Sequence, residues 1–117
     1  MKFKFEKLNV WQRSMDLGEE IYTAIKVFPE YEKFNLSSQI LRASDSVALN
    51  ISEGTIGTTD PDFRRFIGYS IRSLAEVVTC LHKARRRDYL NNDVFEKLYD
   101  DCFNLMNMLV AFQRNTN

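Results

Sequence analysis

Gln39, Arg42, Ser46, Asn50 and Glu53 recur at steps of three and four, which on a helix aligns them as one polar stripe. Their chemistry is complementary. Guanidinium and carboxylate make charge-assisted pairs, and amides and hydroxyls both donate and accept. A stripe of this kind either holds a polar ligand or joins packed helices. Ser73 and Glu76 carry the same chemistry further along the chain. The structural reading is the plainer one, because buried ionic groups mostly pair with one another and fix packing register.

A second constellation is basic. Between Pro61 and Arg87 seven arginines and lysines face only Asp62 and Glu76, a local charge of +5. On a helix, Arg65, Tyr69, Arg72, Lys83 and Arg86 share the face opposite the apolar one. Such a face tracks phosphates through its cations and offers Tyr69 to stack on a base. It serves equally as a solvated outer surface, with Arg85 to Arg87 well placed at a helix C-terminus and Asp93, Glu96, Asp100 and Asp101 nearby on the next helix.

Catalytic chemistry finds less footing. His82 has no evident acid or nucleophile partner. Four scattered glycines build no phosphate loop, and no Ser or Cys sits in a nucleophile turn. One histidine and two isolated cysteines, Cys80 and Cys102, assemble no zinc site, and both thiols read as reduced and buried. No metal or cofactor is expected, and the chain does not read as an enzyme.

These residues need a frame. At 117 residues the chain holds one core, read as a single domain over 1–117. Hydrophobic residues make up 44% and charged residues 27%, and 16 acidic side chains balance 16 basic ones. A balanced charge weighs mildly against a dedicated nucleic-acid binder but leaves room for a local patch. No apolar run approaches the ~20 residues that span a bilayer. The N-terminal MKFKFEKLNVW lacks a signal-peptide core, so the expected location is cytoplasmic.

Four helices account for the apolar pattern. The first starts near Asn9, with Asn9 and Gln12 as a capping box, and runs through Val10, Leu17, Ile21, Ala24 and Phe28 to a stop at Pro29. Trp11 reads as a core anchor, with Tyr22 and Phe28 in support. The second runs from Leu36 or Ser37 to Glu53, with Leu36, Ile40, Ala43, Val47 and Ile51 inward and Gly54 as a left-handed terminator. Thr55 to Thr59 then form an exposed linker. The third starts with Asp60 as N-cap and Pro61 in the first turn, and carries Phe63, Ile67, Ser70, Leu74, Val77, Leu81 and Ala84 to about Arg87. The fourth starts at Asn91 or Asn92, with Leu90 stapled onto Phe95, then Leu98, Cys102, Leu105, Leu109 and Phe112. A second apolar row, Tyr99, Phe103, Met106 and Val110, points to burial against another subunit. The fold expected is an all-α, antiparallel up-and-down four-helix bundle without a sheet.

One ordered set of residues carries a family resemblance: Leu8-x-Val10-Trp11-Gln12, Tyr22, Phe28-Pro29, Glu32, Gln39, Arg42-Ala43, Ser46, Asn50-Ile51-x-Glu53-Gly54 and Ser73-Leu74-x-Glu76. It resembles the four-helix-bundle family of 23S ribosomal RNA intervening-sequence proteins over nearly the whole chain. The resemblance implies a small up-and-down bundle, a homo-pentameric ring, and a gene within or outside a ribosomal RNA insertion. A related accessory protein of diversity-generating retroelements is similar in bundle and ring, and works with a reverse transcriptase and nucleic acid. Two positions depart from the pattern. Thr55-Ile56-Gly57 stands where a basic residue often follows Glu-Gly, and Arg72 stands where a glycine often precedes the serine. The resulting expectation is a non-catalytic oligomer that binds RNA or DNA through the third helix. The alternative is a scaffold ring for a protein partner, with no membrane contact in either case.

Overall fold

Helices form where the apolar periodicity is strongest. The computed structural model describes residues 2–57 and 59–114. It contains α1 (Asn9–Ala24), α2 (Leu36–Gly54), α3 (Asp60–Arg86) and α4 (Asn92–Arg114), with short 3-10 turns at Lys4–Lys7, Ile25–Val27 and Glu30–Glu32. No strand occurs among the described residues. The four helices pack side by side in a body of 45 × 25 × 23 Å. One continuous core joins Leu17 and Ile21 of α1, Ile40, Val47 and Ile51 of α2, Ile67, Leu74 and Val77 of α3, and Phe95, Leu105 and Leu109 of α4. The expected inward stripes of α2 and α4 are buried, except that Phe112 is half-buried. Along the α2–α3 seam, contact numbers rise on one helix as they fall on the other: Ser46 meets Ser73, Val47 meets Ser70, and Gly54 lies against Phe66.

Several helix ends differ from the sequence reading, each for a local reason. Asn9 and Gln12 form no capping box. Asn9 is already helical, and the Gln12 amide instead donates to the Glu6 carbonyl at 2.8 Å. The preceding turn supplies the reciprocal bond, the Phe3 N–H donating to the Glu6 carboxylate at 3.1 Å. α1 ends at Ala24 and tightens into a 3-10 turn through Val27, so the chain leaves helix geometry before the Phe28–Pro29 step. Phe28 is buried, but Tyr22 is 55% exposed and anchors no core.

Gly54 does not terminate α2 with left-handed backbone. It is buried inside the last turn, and the left-handed residue is Gly57, at φ 56°. A Cβ on Gly54 would lie 2.8 Å from the Phe66 Cβ, so the glycine serves close helix approach rather than chain reversal. Thr58, part of the expected linker, lies outside the described residues. The N-cap of α3 is Thr59, not Asp60: its hydroxyl accepts the Asp62 N–H at 3.3 Å. A hydroxyl one residue earlier serves the same orphan donor, and Asp60 and Asp62 remain in the first turn where the helix end is positive.

α3 stops at Arg86, one residue short of the expected end. Asp88 takes left-handed backbone at φ 61°, and the Tyr89 N–H returns to the Ala84 carbonyl at 2.9 Å. The expectation for α4 holds. The Asn91 side chain accepts the Val94 N–H at 2.9 Å, and Leu90 is buried in the same cluster as Phe95. Of the second apolar row, Phe103 is 57% exposed, and Tyr99, Met106 and Val110 are half-buried.

Candidate functional site

The polar stripe divides in two. Its middle closes on itself: the Asn50 amide donates to the Ser46 carbonyl and hydroxyl, both at 2.9 Å, and the Ser73 hydroxyl reaches Ser46 Oγ at 2.9 Å. This joins α2 to α3 through three half-buried side chains. Gln39, Arg42, Glu53 and Glu76 take no part in it. Arg42, Glu53 and Glu76 are exposed, and among the described residues none has an ion pair. The stripe therefore presents a satisfied centre flanked by two acids and one base that stay open.

The basic face of α3 is sorted by its surroundings. Arg65 bonds Asp62 at 3.1 Å, and its guanidinium lies 5.1 Å over the Phe66 ring. Tyr69 stands edge-on to that ring at 5.9 Å and is 40% exposed. Arg85 reaches Glu96 at 3.7 Å and covers Phe95, and Arg87 reaches Glu32 at 3.0 Å. Arg72, Lys83 and Arg86 are exposed and carry no ion pair among the described residues. Of the α4 acids, Glu96 meets Arg85 of α3, while Asp101 is taken by Lys97. Arg65 to Arg86 covers about 32 Å of helix at 1.5 Å per residue. Glu76 and Thr79 occupy the middle of that face.

A cluster the sequence did not reveal closes the end of the bundle where α3 stops. Glu32 is buried, yet its carboxylate accepts from the Tyr89 hydroxyl at 2.7 Å, Arg87 at 3.0 Å, Asn35 at 3.0 Å and the Leu36 N–H at 3.4 Å. The Tyr89 bond, with help from Asn35, Leu36 and Arg87, holds the carboxyl below its ordinary 4.5 despite the opposing effect of burial. The Tyr31 hydroxyl 3.2 Å away, together with the Glu32 contact, pushes the Tyr89 phenol upward. Two of the four donors to the Glu32 carboxylate, Arg87 and Tyr89, lie more than fifty positions away along the chain. Local periodicity carries no signal for that pairing.

The residues weighed for catalysis lie apart among the described residues. His82 packs edge-on against Phe95 and Tyr99 at 5.1 and 5.9 Å. Cys80 and Cys102 are free and buried; burial raises the Cys80 thiol and pushes Cys102 up to about 12, so both stay protonated at neutral pH. No cluster of His, Cys, Asp and Glu suited to a metal ion occurs among the described residues. No described helix is long and apolar enough to cross a membrane. Trp11 is half-buried and donates its indole N–H to Ser52 at 3.0 Å. It walls a groove of about 380 Å³ between α1 and α2.

Fold and surface together define a small helical-bundle protein whose notable chemistry lies on its outer faces, not in a cleft. The chain belongs to the family of 23S rRNA-intervening sequence proteins, whose model matches residues 6–111. It is similar in fold to a Bacteroides thetaiotaomicron protein with unknown function from the S23 ribosomal protein family, known from a crystal structure. The two share 22% identity with a TM-score of 0.83, over 91% of this chain and 99% of that one. No curated protein matches the chain.

Proposed function

We propose that the protein is a non-catalytic, cytoplasmic, antiparallel up-and-down bundle that assembles into a homo-pentameric ring and binds ribosomal RNA or another nucleic acid through α3. The observation that carries this reading is the set Arg72, Lys83 and Arg86, exposed on one face and unneutralised among the described residues, with Tyr69 on the same face. Three cations along one helix rail meet successive phosphates, and ring symmetry would repeat the rail and multiply its effect by avidity. The open charges Arg42, Glu53 and Glu76 support assembly, since they suit pairing across a subunit boundary.

The interruption of the rail by Glu76 favours the second reading, a ring that docks a protein partner and leaves nucleic acid untouched. Fluorescence anisotropy of labelled structured RNA and duplex DNA over a salt series separates the two. Binding is expected to weaken steeply with salt. The Arg72→Ala, Lys83→Ala, Arg86→Ala triple variant should flatten the log–log slope by about 2–3, at ~0.7–0.9 per lost phosphate contact. No binding at low salt would leave the scaffold reading standing.

A further inference from the structure

The three most exposed large hydrophobic residues among those described sit on one short segment: Phe34 at 89%, Tyr31 at 77% and Val27 at 70%. Two lysines accompany them. The Lys33 ammonium lies 5.5 Å over the Phe34 ring, and that of Lys26 lies 5.3 Å over Tyr22. The tip is thus a cationic, aromatic projection, with Glu30 its one open acid, since Glu32 is held inside by Arg87 and Tyr89. An apolar tip this exposed loses free energy to water unless something covers it.

The groove between α1 and α2 has the opposite character. Its volume is about 380 Å³, and Trp11, Met15 and Leu49 line it, Met15 being 43% and Leu49 62% exposed. Gly18 opens its floor: a Cβ there would meet nothing within 4 Å. The charged side chains on its rim, Glu19 and Asp45, are both acidic, and neither has an ion pair among the described residues. Lysines bury their methylene stems beside an aromatic while their heads reach acids, so the tip suits this rim in both shape and charge.

The tip cannot fill the groove of its own chain. α2 is continuous from Leu36 to Asp45, which sets the two about 14 Å apart along one rigid helix at 1.5 Å per residue. We infer that the occupant is a second copy of this chain: Phe34, flanked by Lys33, enters the α1–α2 groove of a neighbour beside Glu19 and Asp45. The two halves of this contact lie at different places on the surface, so it can propagate from copy to copy and close where the rotation allows. It deepens the assembly part of the proposed function and is independent of nucleic acid.

Sedimentation velocity of the full chain, free of nucleic acid, tests it. The wild type is expected to sediment as a multiple of 13.8 kDa. Phe34→Glu should shift it to the monomer at unchanged helical circular dichroism, because so exposed a side chain supports no core. Lys33→Glu should weaken assembly at least tenfold in dissociation constant, and Asp45→Lys in the same chain should restore it. A monomeric wild type, or a Phe34→Glu variant that keeps the wild-type mass, overturns the inference. A monomeric Phe34→Glu, together with a Lys33→Glu loss that Asp45→Lys fails to restore, removes the groove as the receiving site. RNA anisotropy on the Phe34→Glu monomer then reports on the α3 rail by itself, so failure of one idea leaves the other measurable.

Discussion

The α2–α3 seam and the two seams of α1 are built on opposite plans. Between α2 and α3, Gly54 admits Phe66, and Ser70, buried, donates to the Val47 carbonyl at 2.8 Å. Small residues and inward hydroxyls let the backbones approach until little space remains. α1 stands off. Grooves of about 380 Å³ toward α2 and about 570 Å³ toward α4 flank it, and outside the shared core an exposed ion pair links it to α4, Lys97 to Glu20, with Asp101 of α4 on the same ammonium. Burial raises the Glu20 carboxyl; at Asp101 burial pushes up as well, but the hydrogen bonds to Lys97 and Glu20 and the charges of Lys97 and Arg13 together hold that acid down. A close seam makes a rigid pair; an open one leaves surface for something else to cover. Binding chemistry is therefore expected along α1 and on the outer face of α3, and stability chemistry between α2 and α3.

The largest expected effect breaks the close seam. Gly54→Ala gains up to ~1 kcal/mol in helix propensity. Against that stands a Cβ placed 2.8 Å from the Phe66 Cβ, an atom fixed to its own backbone, with the Phe63 carbonyl at 3.5 Å. Overpacking of this kind costs about 1–3 kcal/mol, so the net change is destabilising, and Gly54→Val deepens it. Chemical denaturation measures this directly. A Gly54→Ala protein as stable as wild type would show that α2 and α3 have room to part, and the contrast between seams would go with it.

The Glu32 cluster is next, because it ties the α1–α2 connection to the α3–α4 turn. Its folded pKa lies below the ordinary 4.5, so the carboxylate contributes stability above that value and loses it as pH falls through the folded value. Glu32→Gln keeps the shape and discards the charge. Its melting temperature at pH 7 should fall, and the two proteins should converge in acid, where wild-type Glu32 is protonated as well. Parallel curves over the whole range would mean that the hydrogen bonds matter and the charge does not.

Much of this was legible in the chain. The inward stripes of α2 and α4 follow from periodicity, and the start of α4 is read as Asn91 or Asn92, between which the Asn91 side chain decides by capping Val94. The failures share a cause. Gly54 reads as a terminator because a glycine after a helical run usually is one; only the facing Phe66 shows that it serves packing. Thr59 and Asp60 are neighbouring caps of similar quality, and backbone geometry chooses between them. Of the polar stripe, Ser46, Asn50 and Ser73 come together, but whether Arg42, Glu53 and Glu76 find partners depends on a subunit that one chain does not contain. Glu32 stayed unread because two of its four donors, Arg87 and Tyr89, lie on a single turn more than fifty residues away. The resemblance named the family that the matching model shows, with four helices as expected; the grooves along α1 came from neither residues nor resemblance.

Gly18→Ala has the smallest expected effect and gives the sharpest comparison, being the same substitution as Gly54→Ala on the other plan. A Cβ at Gly18 meets no atom within 4 Å, so nothing opposes the gain in helix propensity and the lost freedom of the unfolded chain. The protomer should become more stable by about 0.5–1 kcal/mol, or ~2–6 °C in melting temperature for a domain of this size. The Phe34→Glu background is the proper place to measure it, because a neighbour's side chain in the groove would mix assembly with folding. In the assembling protein the added methyl lies on the groove floor, so association should weaken while the isolated protomer gains. A gain in both would mean that no copy reaches the floor at Gly18. A loss in the isolated protomer would mean that α1 rests on α2 as closely as α2 rests on α3.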